Sequence, residues 1–219
     1  MNVVGTALKE LYRIFSILNS DKFGGELPEP VITIQKTRGR TLGHFTLDKV
    51  WKNKQNIENE NIEADNSDET AYYEINIDPR WFCDRTAAEV VETLLHEMCH
   101  YYNKLSDIKD CNGNVHNKKF KKLAESVGLI VEKGKSVGYG YTSLSEELKD
   151  YVEEVIKPDA KAFEYFRAGN VIKDSGTKVR TKTMFKYICP DCGQIAKGKR
   201  DITIKCGLCE VDMEIEDES

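Results

Sequence analysis

No apolar run in this chain approaches the roughly 20 residues that a membrane-crossing helix needs, which argues against a protein that spans a bilayer with helices. The opening segment, MNVVGTALKELYRIF, lacks a basic stretch followed by an apolar core and does not read as a secretory signal. Cysteine pairing is missing as a pattern. The seven cysteines are an odd set, with Cys189, Cys192, Cys206 and Cys209 crowded near the C-terminal end and Cys83, Cys99 and Cys111 scattered. A disulfide framework in a secreted chain uses an even set. The expectation is a reducing, cytoplasmic setting with one cysteine metal site and three unpaired thiols. There is no internal repeat. Histidine is scarce, with four in 219 residues, so the places where it occurs carry weight.

What is present is ordinary for a soluble chain: 40% hydrophobic residues, 32% charged, net charge −5. The length suffices for one sizeable core with something smaller beside it. Thr6–Ser20 places Leu8, Leu11, Tyr12, Phe15 and Leu18 on one helical stripe with Thr6 as cap, and Gly24, Gly25, Pro28 and Pro30 end it. Val31–Lys36, Thr41–Val50 and Ala71–Asp78 read as strands. Residues 52–70 are polar, acid-rich and almost free of large apolar side chains, so they predict a mobile hairpin extension.

Thr86 and Glu89 form a capping box that opens a helix running to about Leu105. A polar turn over 106–117 follows, then a helix over Lys118–Val127 stopped by Gly128, an extended SVGYGYT, a helix over Ser145–Ile156 and a short one over Ala160–Arg167. The order predicts an α+β fold, a small sheet with helices on it.

Inside the capped helix lies LLHEMCHYYN, with His96-Glu97-Met98-Cys99-His100. At about 100° per residue, Val91, Leu94, Leu95, Met98 and Tyr102 share one face, and His96 and His100 lie on the other side about 40° apart. Imidazoles at i and i+4 reach one ion, while Glu97 projects to the side. The alternative is a pair of histidines flanking a core. Against it, a third histidine, His116, follows in GNVHNKKF, so three of the four fall within 21 residues. A catalytic zinc takes three protein ligands and leaves a fourth position for water.

Near the C-terminus, Cys189-Pro-Asp-Cys192-Gly and Cys206-Gly-Leu-Cys209 are two C-x-x-C knuckles separated by 13 residues. Two matched pairs at this spacing predict a closed structural zinc on four thiolates, with glycine permitting the turn. A redox C-x-x-C needs no second pair. So small a module depends on its metal. From Lys173 to Lys205 there are nine Lys or Arg against three Asp. With Phe185 and Tyr187 among them, Lys182, Lys186, Lys197, Lys199 and Arg200 are candidates for phosphate contact. A solvated linker with a protein-docking ribbon is the competing reading, and the acidic tail EVDMEIEDES favours it.

FGGELPEP (23–30), LLHEMCHYYN (94–103), HNKKF (116–120), GYGYT (138–142) and the cysteine ribbon together resemble the SprT-like metalloproteases, the group of bacterial SprT and animal Spartan. The resemblance covers nearly the whole chain apart from 52–70 and 144–183. It implies a compact zincin-like domain over 1–143, a helical and basic connector over 144–183 and a zinc ribbon over 184–219. It also implies that His96, His100 and His116 hold a catalytic zinc and that Glu97 is the catalytic carboxylate. Zinc would lower the pKa of a bound water towards about 7, and Glu97 would move its proton to the departing amine. Tyr139 or Tyr141 offers a second hydrogen bond to the developing charge, with packing the simpler role; His44 reads as structural. The implied substrates are proteins bound or crosslinked to DNA, with DNA as partner, two zincs as cofactors and a monomer as the working form. The alternatives are a zinc peptidase whose ribbon recruits a protein, and a binding module without catalysis.

Overall fold

The first helix begins earlier than its apolar stripe. In the computed structural model, which describes residues 2–53, 71–168, 184–200 and 202–215, α1 spans Val3–Phe23 with Asn2 as its cap, Asn2 accepting from Gly5 N–H. Thr6, the expected cap, lies inside the helix and donates its hydroxyl to Asn2 O at 3.1 Å. The short Asn2 side chain reaches the free N–H groups of the first turn and moves the start back one turn. Leu11, Ile14, Phe15 and Leu18 are buried, and Gly24, at φ +63°, ends the helix in the left-handed region.

The chain divides into two compact units, Met1–Val171 and Ile172–Ser219. In the first, strands β1 (Val31–Ile34), β2 (Gly43–Phe45) and β3 (Glu74–Ile77) form a sheet in the order β1-β3-β2. β1 runs parallel to β3, and β2 antiparallel to it. The strands are shorter than the expected 41–50 and 71–78. The Thr46 hydroxyl accepts from Glu74 N–H at 2.9 Å, replacing a carbonyl in the ladder. Regular pairing stops there, and among the described residues a Trp51–Tyr72 bridge continues beyond it. The hairpin extension expected over 52–70 lies, from residue 54 on, outside the described residues.

Helix α2 (Ala87–Leu105) has the predicted capping box: Thr86 Oγ1 accepts from Glu89 N–H, and Glu89 Oε2 accepts from Thr86 N–H at 2.7 Å. It is buried on nearly every side. Val91, Leu94, Leu95, Met98 and Cys99 are wholly inaccessible, and Tyr102 packs half-buried.

The segment expected to be a polar turn folds instead into a hairpin, β4 (Cys111–Asn112) and β5 (Val115–His116), turning at Gly113 with φ +58°. The two-residue loop is Gly113-Asn114, with glycine at its first position supplying the positive φ that such a tight hairpin turn takes. Helix α3 (Lys118–Ser126) is capped by Asn117 and buries Phe120 and Ala124. Strand β6 (Leu129–Gly134), not anticipated, alternates buried Leu129 and Val131 with exposed Ile130 and Glu132. It pairs with β7 (Gly138–Leu144), and the second sheet has the order β4-β5-β7-β6. Ser145 caps α4 (Glu146–Tyr151), which widens into π turns over Val152–Ile156. Arg13 Nη2 donates to Ile156 O at 2.9 Å, occupying a carbonyl left free there. The short helix expected over Ala160–Arg167 is a 3₁₀ turn over Ala160–Phe163. Leu148, Val152, Ile156 and Phe163 all join the core of the first unit.

The second unit is a three-stranded antiparallel sheet, β8 (Phe185–Ile188), β9 (Ile195–Gly198) and β10 (Glu214–Ile215), in the order β10-β8-β9. Its core is Tyr187, Cys189, Cys206 and Met213. Among the described residues, no helix is long and apolar enough to cross a membrane.

Candidate metal centre

Helix α2 presents His96 and His100 one turn apart, and β5 brings in His116 from the second sheet. His116 is fixed by pairing on both sides, with Cys111 in β4 and Gly138 in β7. The three Nε2 atoms form a triangle with edges of 3.2 Å (His96–His116), 3.3 Å (His96–His100) and 3.0 Å (His100–His116). Three corners of a tetrahedron around zinc, at about 2.0–2.1 Å from the ion, lie about 3.3–3.4 Å apart.

The opposite ring nitrogens explain why this triangle suits a cation. His100 Nδ1 lies 2.7 Å from Asp110 Oδ2, His116 Nδ1 3.2 Å from Val137 O, and His96 Nδ1 3.1 Å from Thr142 Oγ1. A carboxylate and a carbonyl only accept. The Thr142 hydroxyl donates its one proton to Glu92 Oε1 at 2.7 Å, so towards His96 it accepts too. Each ring therefore carries its proton on Nδ1, and three Nε2 lone pairs face one point with no proton between them. A divalent cation relieves that arrangement. Burial holds His96 well below its ordinary pKa and His116 below its own, which keeps these rings neutral and able to ligate.

Phe120, four residues after His116 on α3, lies under all three rings, with centroids 4.6–4.7 Å away. Gly138 and Gly140 let β7 approach His116. A Cβ on Gly138 would run into His116 O, and one on Gly140 would stand 2.6 Å from His116 Nδ1.

Glu97 points from α2 towards β2. Burial raises its carboxyl to about 7, against the pull of His100 and of a hydrogen bond from Phe45 N–H. Gly43 faces it closely: a Cβ there would lie 2.9 Å from Asn76 O and 3.2 Å from Glu97 Oε1. Tyr139 is half-buried against the core, with the Lys121 and Lys133 ammonium groups 5.3 and 5.8 Å from its ring centre, and Tyr141 is exposed. His44 is exposed on β2, 3.9 Å from Glu74 Oε1.

Asp110, Asn103, Thr142, Glu92 and Arg85 were not anticipated. Burial pushes the Asp110 carboxyl up, but hydrogen bonds from His100 and from Asn103 Nδ2 (3.1 Å) outweigh it and leave its pKa lowered. Glu92 and Asn103 had a local signal: on α2, Glu92 precedes His96 by four residues and Asn103 follows His100 by three, so each shares a helix face with a histidine. Asp110 and Thr142 arrive through tertiary folding.

In the second unit, Cys189, Cys192, Cys206 and Cys209 bring their four sulfurs within 4.8 Å of one another. Cys192 Sγ and Cys206 Sγ are 3.6 Å apart, near the roughly 3.8 Å edge of a zinc tetrathiolate. The knuckles are near copies. Gly193 N–H donates to Cys189 O, and Glu210 N–H to Cys206 O, each at 2.9 Å. The left-handed residue follows the second cysteine in both, Gly193 at φ +71° and Glu210 at φ +58°. The expectation of glycine at the turn therefore holds in the first knuckle only, and Gly207 does not fill that place. N–H groups of Cys209 and Leu208 pull the Cys206 thiol down to about 7, towards the thiolate a metal needs.

Of the basic candidates, Lys186 and Lys197 are cross-strand partners on β8 and β9. The Arg200 guanidinium lies 5.3 Å from the Phe185 ring centre, and the Lys199 and Arg200 carbonyls accept from Tyr187 OH. Lys182 lies outside the described residues.

A model of the SprT-like family matches residues 11–138, a span that contains the three histidines and Glu97. No curated protein and no solved structure matches the chain. With the matched span covering more than half of the sequence, the chain belongs to the SprT-like family.

Proposed function

We propose that the protein is a zinc-dependent endopeptidase acting on proteins bound or crosslinked to DNA, with one zinc on His96, His100 and His116 and a second on the four cysteines. The observation that carries the reading is the triangle of Nε2 atoms, all three rings oriented by acceptors at Nδ1, with the buried Glu97 carboxyl beside it. Family membership supports a zinc-dependent, protease-like activity. When bound, zinc supplies Lewis acidity, making a water acidic enough to lose a proton near pH 7 and polarising the scissile carbonyl. Glu97 takes that proton and delivers it to the departing amine, a task suited to a carboxyl whose pKa lies near neutrality. Phe45 N–H orients the carboxylate, and Phe120 closes the space beneath the imidazoles.

The DNA part rests on the second unit, where Lys186 and Lys197 pair across β8 and β9 and the Arg200 guanidinium lies over the Phe185 ring, groups of the kind that meet phosphates and bases. A second reading, in which the ribbon recruits a protein, is favoured by the exposure of Leu208, Ile195 and Ile202 on the same unit. The deciding experiment is cleavage of a DNA-binding protein by the full chain, with and without single-stranded DNA, using Glu97→Gln as control. Cleavage enhanced by DNA and abolished in Glu97→Gln, with zinc retained, is the expected result. Unchanged proteolysis in Glu97→Gln removes Glu97 from the mechanism, and indifference to DNA favours the protein-recruiting ribbon.

A further inference from the structure

Of the three histidines, His96 has the least decided partner. Asp110 and the Val137 carbonyl can only accept, so His100 and His116 have one available tautomer. A threonine hydroxyl can donate as easily as it accepts. If Thr142 donated to His96 Nδ1, the ring proton would move to Nε2 and remove one of the three lone pairs. Glu92 prevents this. Its Oε1 takes the Thr142 proton at 2.7 Å, leaving only the hydroxyl oxygen for His96. Glu92 Oε2 is in turn held by Arg85 Nη2 at 3.1 Å, and the same Nη2 donates to Glu89 O at 2.6 Å. Arg85 keeps this place although its Nε finds no partner among the described residues.

We propose that Thr142 and Glu92, anchored by Arg85, are positioning residues that fix the tautomer of His96 and thereby set the zinc affinity of the histidine site. The proposal rests on the reading of those histidines as a zinc site and adds to it a line of four side chains, Arg85–Glu92–Thr142–His96. That line crosses from α2 to β7, joining residues 46 positions apart. Neither Thr142 nor Glu92 would touch the ion or the substrate; both act through the ring.

The test uses the full chain, whose cysteine site serves as an internal control. Zinc affinity at the histidines is measured by competition with a chromophoric chelator, and the protonated nitrogen of His96 by nitrogen-15 NMR of the metal-free rings. Thr142→Val keeps shape and loses the hydroxyl, and is expected to weaken zinc binding there by about 10–100-fold, the usual range for partners behind a ligand. Thr142→Ser is expected to restore it. Glu92→Gln, whose amide can donate to Thr142 and free the hydroxyl to donate onward, is expected to weaken binding and to raise the fraction of His96 protonated at Nε2. The cysteine site should hold its zinc equally in all four proteins. A structural role alone would lower unfolding stability in Thr142→Val yet leave zinc affinity and the His96 tautomer unchanged, and that result overturns the proposal while leaving the protease reading intact. A natural chain whose histidines take up no zinc overturns both.

Discussion

Asp110 Oδ2 stands 2.7 Å from His100 Nδ1 while also accepting from Asn103, so one buried carboxylate orients a ring on α2 and ties down the segment leading into β4. Asp110→Asn keeps an acceptor and loses the charge, and is expected to weaken zinc binding about tenfold. Asp110→Ala also strands two donors and should approach about 100-fold. Chelator competition measures both. The pH dependence has a definite sign. The folded value of Asp110 lies below the ordinary 3.8, so its contribution to stability is complete above about pH 4. It is lost as acid carries the group through its depressed value.

Glu97 has the opposite sign. Its folded value, about 7, lies above the ordinary 4.5, so the metal-free fold is favoured by this group at low pH and loses that advantage between about 4.5 and 7. With metal removed, Glu97→Gln should be more stable than the natural chain at pH 8, by up to about 3 kcal/mol. The difference should vanish near pH 4. Urea unfolding followed by the fluorescence of Trp51 and Trp81, both in the first unit, reads it out.

Two glycines separate metal binding from proton transfer. A Cβ on Gly140 would stand 2.6 Å from His116 Nδ1, whereas one on Gly43 would press on Asn76 O and Glu97 Oε1. Gly140→Ala should therefore lower zinc affinity, while Gly43→Ala should reduce kcat with zinc content unchanged. Metal analysis beside cleavage kinetics distinguishes them, and equal zinc loss in both variants would contradict the assignment.

Metal analysis of the natural chain should give two zincs. His116→Ala should lose one and Cys206→Ser the other, each leaving its counterpart in place, because the two ligand sets belong to different compact units.

Removing residues 184–219 should weaken binding to single-stranded DNA, and the loss should shrink as salt rises, since it reflects phosphate neutralisation. Equal affinity with and without these residues, measured by fluorescence anisotropy at two salt concentrations, would instead support recruitment of a protein.

His96, His100 and the four cysteines are legible in the sequence as candidate ligands because their information is local. Spacing puts His96 and His100 on one face, the Thr86–Glu89 box fixes where that helix starts, and paired C-x-x-C strings announce the ribbon. What orients the ligands was not legible. Thr142 and Asp110 reach the rings from other elements, and no periodicity links them to α2. The apolar stripe begins near Thr6 and points to a cap there, whereas the helix is opened by Asn2, whose capping needs no apolar neighbour. Apolar Leu47 and Val50 extend the second strand in the sequence, whereas in the fold a side-chain hydroxyl interrupts the ladder at Thr46. β6 carries its alternation over too few residues after α3 to stand out in the sequence.

His116 sits in the middle of a sheet, with Cys111 on one side and Gly138 on the other. Side chains alternate faces along a strand, so inserting one residue between Val115 and His116 would turn the ring away from its partners. Extra residues at the Gly113 turn would leave that register untouched. Related chains can therefore vary freely in length at the tip of this hairpin but not along its arms, and a tag or reporter spliced into the 113–114 turn should leave the metal site assembled.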